Sequence, residues 1–190
     1  MAKLYFKYGV MGCSKSAQAL ITKFNYEERG MKVLLVKPAI DTRDGKDIVK
    51  SRIGLAAEAF AVPSDENLYK FYAEKHRDND VIIVDECQFL TTEQVDQLGD
   101  IVIDFNVPVL CFGLACDFTN HLFEGSKRLF EIAESVAEIK SVCKCGAKAT
   151  VTARFDDNGN ILYKGEQVVL GGNSRYTAMC RKCWLKRKAE

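Results

Sequence analysis

The chain has 190 residues, 27 Lys+Arg against 26 Asp+Glu for a formal net charge of +1, and 47% hydrophobic residues. That length suits one well-packed domain with a small appendage, and interspersed charges of both signs make no broad field for gripping nucleic acid or an anionic bilayer. No apolar run approaches the roughly 20 residues that cross a bilayer, and Met1-Ala2-Lys3-Leu4-Tyr5 lacks the apolar stretch and cleavage site of a signal peptide. A soluble cytoplasmic protein with no membrane or nucleic-acid partner is expected.

Leu4 to Tyr8 reads as a strand that ends at Gly9. Ser16 to Arg29 sets Ala17, Leu20, Ile21 and Phe24 on one helical face, and Gly30 stops the helix. Lys32 to Val36 is a second buried strand, whereas Pro38 to Gly54 is polar, has no period and reads as a mobile loop. A helix over Leu68 to His76 precedes the strand Val81-Ile82-Ile83-Val84. Thr92 to Phe105 is a helix begun by Thr91 or Thr92, with Glu and Gln in its first turn. Val107 to Gly113 is a strand and Lys127 to Ala137 a further helix. Strands apolar at consecutive positions are buried on both faces, so this alternation predicts an α/β fold built on a parallel sheet flanked by helices.

From Ser141 the rhythm changes to short strands, Thr150 to Phe155 and Ile161 to Tyr163, around the turn Asp156-Asp157-Asn158-Gly159-Asn160. The sequence therefore divides into residues 1–140 and an annex of residues 141–190. The annex has too little apolar sequence for a core of its own and needs a staple. Of eight cysteines, Cys13, Cys87, Cys111 and Cys116 are scattered and read as small packing residues. Cys143, Cys145, Cys180 and Cys183 form two close pairs, which in a reducing cytosol point to a metal before disulfides. Cys180-Arg181-Lys182-Cys183 has the spacer of a zinc knuckle, while Cys143-Lys144-Cys145 is one residue shorter. Free thiols or a disulfide are the alternatives. His76 and His121 lack ligand-type neighbours and read as surface residues, and Lys186-Arg187-Lys188 as a solvated tail.

Gly9-Val10-Met11-Gly12-Cys13-Ser14-Lys15-Ser16 follows the first strand and opens the first helix. In that context backbone N–H groups and a helix N-terminus face an anion, a Lys reaches terminal phosphates and a Ser hydroxyl meets Mg²⁺. Ser14 stands where a second glycine is usual, and an ordinary strand-to-helix turn with an exposed Lys is the alternative. Asp85 and Glu86 close the strand Val81–Val84 at the sheet edge where ligands sit. Asp85 is placed to face Mg²⁺ or its waters, and Glu86 to take a proton from a substrate hydroxyl. A solvated strand-end turn is the bland reading.

Together with Asp41-Thr42-Arg43, Ser51-Arg52-Ile53-Gly54, Asp85-Glu86-Cys87-Gln88-Phe89, Gly113-Leu114-x-x-Asp117-Phe118, the cysteine pairs and Gly171-Gly172-x-x-x-Tyr176, this loop resembles the cytosolic, zinc-containing, cellular-type (type II) thymidine kinases. The resemblance implies a P-loop-type domain, with a zinc-binding annex carrying a lasso-like loop. It implies transfer of the γ-phosphoryl group of ATP to the 5′-hydroxyl of deoxythymidine. Residues Gly9 to Ser16 and Asp85 would hold ATP, with Lys15 on the transferred group and Arg43 on phosphate. Ser16, Asp85 and Asp41 would lie at magnesium, and Glu86 would be the general base. Met11, Phe89, Leu114, Phe118 and Phe123 would border the nucleoside. In the annex Thr152, Val169, Gly171 and Tyr176 would meet its base or sugar, and all four paired cysteines would hold structural zinc. A homotetramer inhibited by deoxythymidine triphosphate is also implied. A zinc-containing nucleotide switch, or a kinase of deoxyuridine or deoxycytidine, are the rival readings.

Overall fold

A computed structural model describes residues 1–43, 45–167 and 175–186. Six strands form one parallel sheet: β1 (Leu4–Tyr8), β2 (Val33–Pro38), β5 (Phe60–Val62), β6 (Val81–Val84), β7 (Val109–Gly113) and β8 (Ser135–Glu138), in the order β5-β2-β6-β7-β1-β8. β6 and β7 are buried at every position, which is why their sequence runs apolar without alternation. Helix α1 (Lys15–Glu27) covers one face through Ala19 and Leu20 against Leu35, Ile83, Leu110 and Phe112. Helices α2 (Leu68–Lys75), α3 (Thr92–Phe105) and α4 (Glu124–Ile132) belong to the opposite face, where Leu68, Leu98 and Leu129 meet Phe6, Val84 and Cys111. Thr91 caps α3 in a capping box with Gln94.

The structure corrects three expectations. The helix expected over residues 127–137 ends at Ile132, and Ser135–Glu138 instead pairs in parallel with Tyr5–Tyr8. β1 needs a neighbour on its free edge, and Glu134 takes the Leu4 N–H at 2.6 Å, so strand pairing overrides the local helical pattern. The segment from Pro38 to Gly54, read as a mobile loop, holds β3 (Ile48–Lys50), which forms an antiparallel hairpin with β4 (Ala56–Glu58) just beyond it. Its Val49 is buried with Ala59 against Leu20 of α1. His76 is not a bare surface residue, since its ring centroid lies 4.6 Å from that of Phe60 and 4.4 Å from that of Phe71. Burial there lowers its pKa.

A second, three-stranded antiparallel sheet is ordered β10 (Ile161–Leu162), β9 (Val151–Phe155), β11 (Tyr176–Met179), and is followed by the short α5 (Arg181–Lys186). Its small core joins Ala149, Val151, Ala153, Met179 and Trp184 to the buried Cys143 and Cys180, and Val10 packs against that cluster.

Candidate active site

In the parallel sheet, the segments after β1, β2, β6 and β7 leave from the same carboxyl edge. They deliver Met11, Gly12, Ser14, Lys15, Ser16, Arg43, Glu86 and Leu114 to one cavity of about 500 Å³, with Ser51 to Gly54 from the β3–β4 turn on its wall.

Ser14 adopts φ 67° and ψ 28° and precedes α1 directly. The serine thus takes the left-handed conformation that the loop usually gives to glycine, at a cost of order 1–2 kcal/mol. Gly9 is required sterically: a Cβ there would lie 2.4 Å from Cys13 Sγ and 2.6 Å from the Ile139 oxygen. The Lys15 side chain folds back across the loop, donating to the Val10 oxygen at 2.9 Å and the Gly9 oxygen at 3.3 Å. Cys13, Cys87 and Cys111 are buried and Cys116 half-buried, as small packing residues would be.

Asp85 is buried, lies beside the Ser16 side chain, which favours its charged form, and has its Oδ1 without a partner. Burial, aided by the Glu86 charge, pushes this carboxyl up to about 7. An orphaned carboxylate oxygen beside a serine hydroxyl is a donor set that suits Mg²⁺. Glu86 follows at φ 52°, in the left-handed region. That turn aims its carboxylate back at Arg43, whose Nη2 donates to Glu86 Oε1, while Gln88 Nε2 donates to Oε2. Gln88 is itself buried, and its Oε1 accepts the Leu114 N–H at 2.9 Å. Arg43 Nε also donates to Asp41 Oδ1 at 2.6 Å, and Asp41 Oδ2 lies 3.6 Å from Lys37 Nζ. Burial opposes both charges, yet Arg43 and Lys37 hold Asp41 below its ordinary pKa, and Glu86 and Asp41 raise that of Arg43.

Of the expected nucleoside wall, Met11 and Leu114 line this cavity, and Phe89, Phe118 and Phe123 do not. Phe89 and Phe123 meet edge to face at 5.7 Å, and the guanidinium of Arg154 stacks 3.5 Å above the Phe118 ring. Asp117 pins their loop by accepting from Thr119 N–H at 2.8 Å, the Thr119 hydroxyl at 2.7 Å, His121 N–H at 3.1 Å and Gln167 Nε2 at 2.9 Å. From β9, Thr152 Oγ1 accepts the Met11 N–H at 3.0 Å. Tyr176 pairs with Arg154 across the β9–β11 ladder. Val169 and Gly171 lie outside the described residues.

The sulfurs of Cys143, Cys145, Cys180 and Cys183 all lie within 4.8 Å of one another, close to the separation of about 3.8 Å in a tetrahedral zinc site. The shortened Cys143-Lys144-Cys145 pair fits because its turn closes tightly, with Gly146 N–H on the Cys143 oxygen at 2.8 Å and Gly146 at φ 85°. Backbone N–H groups of Cys145 and Cys180 draw the Cys143 thiol down to about 6, toward the thiolate that binds metal.

Sequence reasoning missed Lys37, Gln88 and Arg154. All three are polar side chains buried in the fold. Lys37 directly follows the apolar run Val33-Leu34-Leu35-Val36, and Gln88 lies within a motif already quoted, but neither position alone discloses its partners.

The sequence model of the family described as thymidine kinase matches residues 2–184. The chain is similar to curated thymidine kinases of several sources. It is 48% identical to that of Zymomonas mobilis over 189 residues, covering 98% of each chain. It is 49% identical to that of Enterobacteria phage T4 over 186 residues, covering 97% of this chain and 96% of that one. The relative from Vibrio vulnificus is 46% identical over 184 residues, with 96% of each chain covered. The carboxyl-edge cavity, its acid–arginine pair and these full-length similarities agree, and the chain belongs to the thymidine kinase family.

Proposed function

We propose that this chain transfers the γ-phosphoryl group of ATP to the 5′-hydroxyl of deoxythymidine. The observation that carries this reading is the convergence on one cavity of the loop before α1, Arg43 and Glu86. Phosphoryl transfer needs cations around a metaphosphate-like group and one base at the attacking oxygen. Lys15 leaves the Gly9 and Val10 oxygens for the γ-phosphate, and Arg43 supports the same charge. Glu86 Oε accepts the proton of the 5′-hydroxyl as its oxygen bonds to phosphorus, and ADP leaves with the electrons of the broken P–O bond. Ser16 and Asp85 would hold Mg²⁺, which would neutralise phosphate charge, and Asp41 closes the acidic side of the site.

Met11, Phe89, Leu114, Phe118 and Phe123 wall the nucleoside, with Thr152 and Tyr176 approaching from the second sheet. Deoxythymidine triphosphate would bridge nucleoside and phosphate positions, which supports feedback inhibition by it. Ile21 and Phe24 of α1 are 47% and 57% exposed, apolar surface that self-association, in our reading as a homotetramer, would cover. The four sulfurs support structural zinc in a unit that begins near residue 141. Among the described residues, no helix is long and apolar enough to cross a membrane, and a cytoplasmic location fits the reaction's substrates.

The test is ADP release with and without deoxythymidine. Nucleoside-dependent release, reduced about 10²–10⁴-fold in kcat by Glu86→Gln with ATP binding retained, is expected. Release that ignores the nucleoside favours a nucleotide switch, and strong preference for deoxyuridine or deoxycytidine reassigns the substrate.

A further inference from the structure

Lys37 sits at the end of β2 with 0% of its surface exposed. Burying an ammonium is costly unless every donor finds a partner, and an apolar residue of similar volume would commonly serve stability as well or better. All its partners lie in the segment that carries Arg43. Nζ donates to the Gly45 oxygen at 2.8 Å and the Ile48 oxygen at 2.8 Å, and it lies 3.6 Å from Asp41 Oδ2. The other oxygen of Asp41 is taken by Arg43 Nε. Asp41 thus has one oxygen on each cation, and this division fixes which edge of the Arg43 fork remains for Glu86.

We propose that Lys37 is a positioning residue for phosphoryl transfer: it holds Asp41 so that Arg43 presents one guanidinium nitrogen to Glu86. This rests on the roles of Arg43 and Glu86 given above. Without the Lys37 charge, Asp41 is free to take the guanidinium with both oxygens, a favoured bidentate geometry, and the fork turns away from Glu86. The carbonyls of Gly45 and Ile48 also lose their tie to the end of β2, which loosens the approach to the hairpin whose turn lines the cavity.

The experiment is a double-mutant cycle on the full-length protein. Lys37→Met should lower kcat by about tenfold or more while the KM for deoxythymidine moves less than about threefold. In an Arg43→Met background, Lys37→Met should cost less than about twofold further, since the residue it acts through is gone. Full additivity of the two losses would overturn the proposal, because a merely structural lysine costs the same in either background. If Lys37→Met does not fold, Asp41→Asn, which keeps the shape and removes the bridging charge, is read in the same cycle with the same expectation. If Arg43→Met alone is as active as the parent, the role of Arg43 itself fails. If Arg43→Met is impaired but the cycle is additive, only the role of Lys37 fails.

Discussion

The hydroxyl of Thr152, the second residue of β9, accepts the backbone N–H of Met11 at 3.0 Å. One hydrogen bond therefore joins the antiparallel sheet to the loop at the end of β1. Thr152→Val keeps the shape but leaves that N–H without a partner, a cost of about 1–3 kcal/mol. We expect a lower Tm together with raised KM for both substrates, and recovery of both in Thr152→Ser. A Tm loss in Thr152→Val with unchanged KM would confine the bond to stability.

The buried amide of Gln88 serves Glu86 on one side and the Leu114 N–H on the other. Gln88→Met preserves volume and abolishes both bonds, so kcat should fall by about tenfold or more while the protein still folds, at a stability cost of about 1–3 kcal/mol. Gly113→Ala attacks the same arrangement from outside: its Cβ would lie 2.6 Å from Gln88 Oε1 and 2.6 Å from Cys87 Sγ. Both variants should lower kcat more than they raise KM. A loss of kcat in only one of them would separate Gln88 from the proposed role of Glu86.

Asp117 gives the protein an acid-sensitive point. Burial opposes its charge, but hydrogen bonds from Thr119, His121 and Gln167 hold its carboxyl below the ordinary value. A carboxylate with a depressed folded pKa stabilises fully above its unfolded pKa, near 4, and loses that contribution as pH falls through the folded value. Thermal melts between about pH 5 and pH 2.5 should fall less steeply in Asp117→Asn than in the parent. Parallel curves would show that the loop carrying Phe118 does not depend on this charge.

Zinc should be present at about one atom per chain, and Cys180→Ser or Cys183→Ser should lose it and lower the Tm. Cys143→Ser tests the short pair by itself, because retained zinc would place the fourth ligand elsewhere. A metal-free preparation with an unchanged melting curve would leave the cysteine cluster without a structural role.

The parallel sheet was readable from the sequence because β2, β6 and β7 are buried on both faces, and four or more apolar residues in succession leave few alternatives. The placement of the Gly9–Ser14 loop after β1 and of Asp85-Glu86 after β6 was readable because their spacing relative to strand ends is local. β8 was not, since Ser135-Val136-Ala137-Glu138 is short and only half-buried, and becomes a strand through pairing with β1. β11 and α5 were missed for a related reason: each is a few residues long and packs on a small core shared with Cys143 and Cys180. Lys37, Gln88 and Arg154 are polar in sequence and buried in space, so their partners are set by tertiary structure alone. Arg154, for example, finds Phe118 and the Glu166 oxygen.

The position of β1 also constrains when the protein can become active. β1 is the first strand of the chain, but its two neighbours are β7 and β8, so Tyr8 meets Gly113 on one side and Glu138 on the other. Gly9 takes its backbone hydrogen bond from the N–H to the Gly113 oxygen, at 3.2 Å. During synthesis the first nine residues therefore wait unpaired until more than half of the polypeptide has left the ribosome. A nascent chain stopped before β7 has all the residues of the loop that follows β1 and no scaffold to shape it. Closing so long a loop makes this pairing intrinsically slow, and competence to bind ATP should arrive late and abruptly.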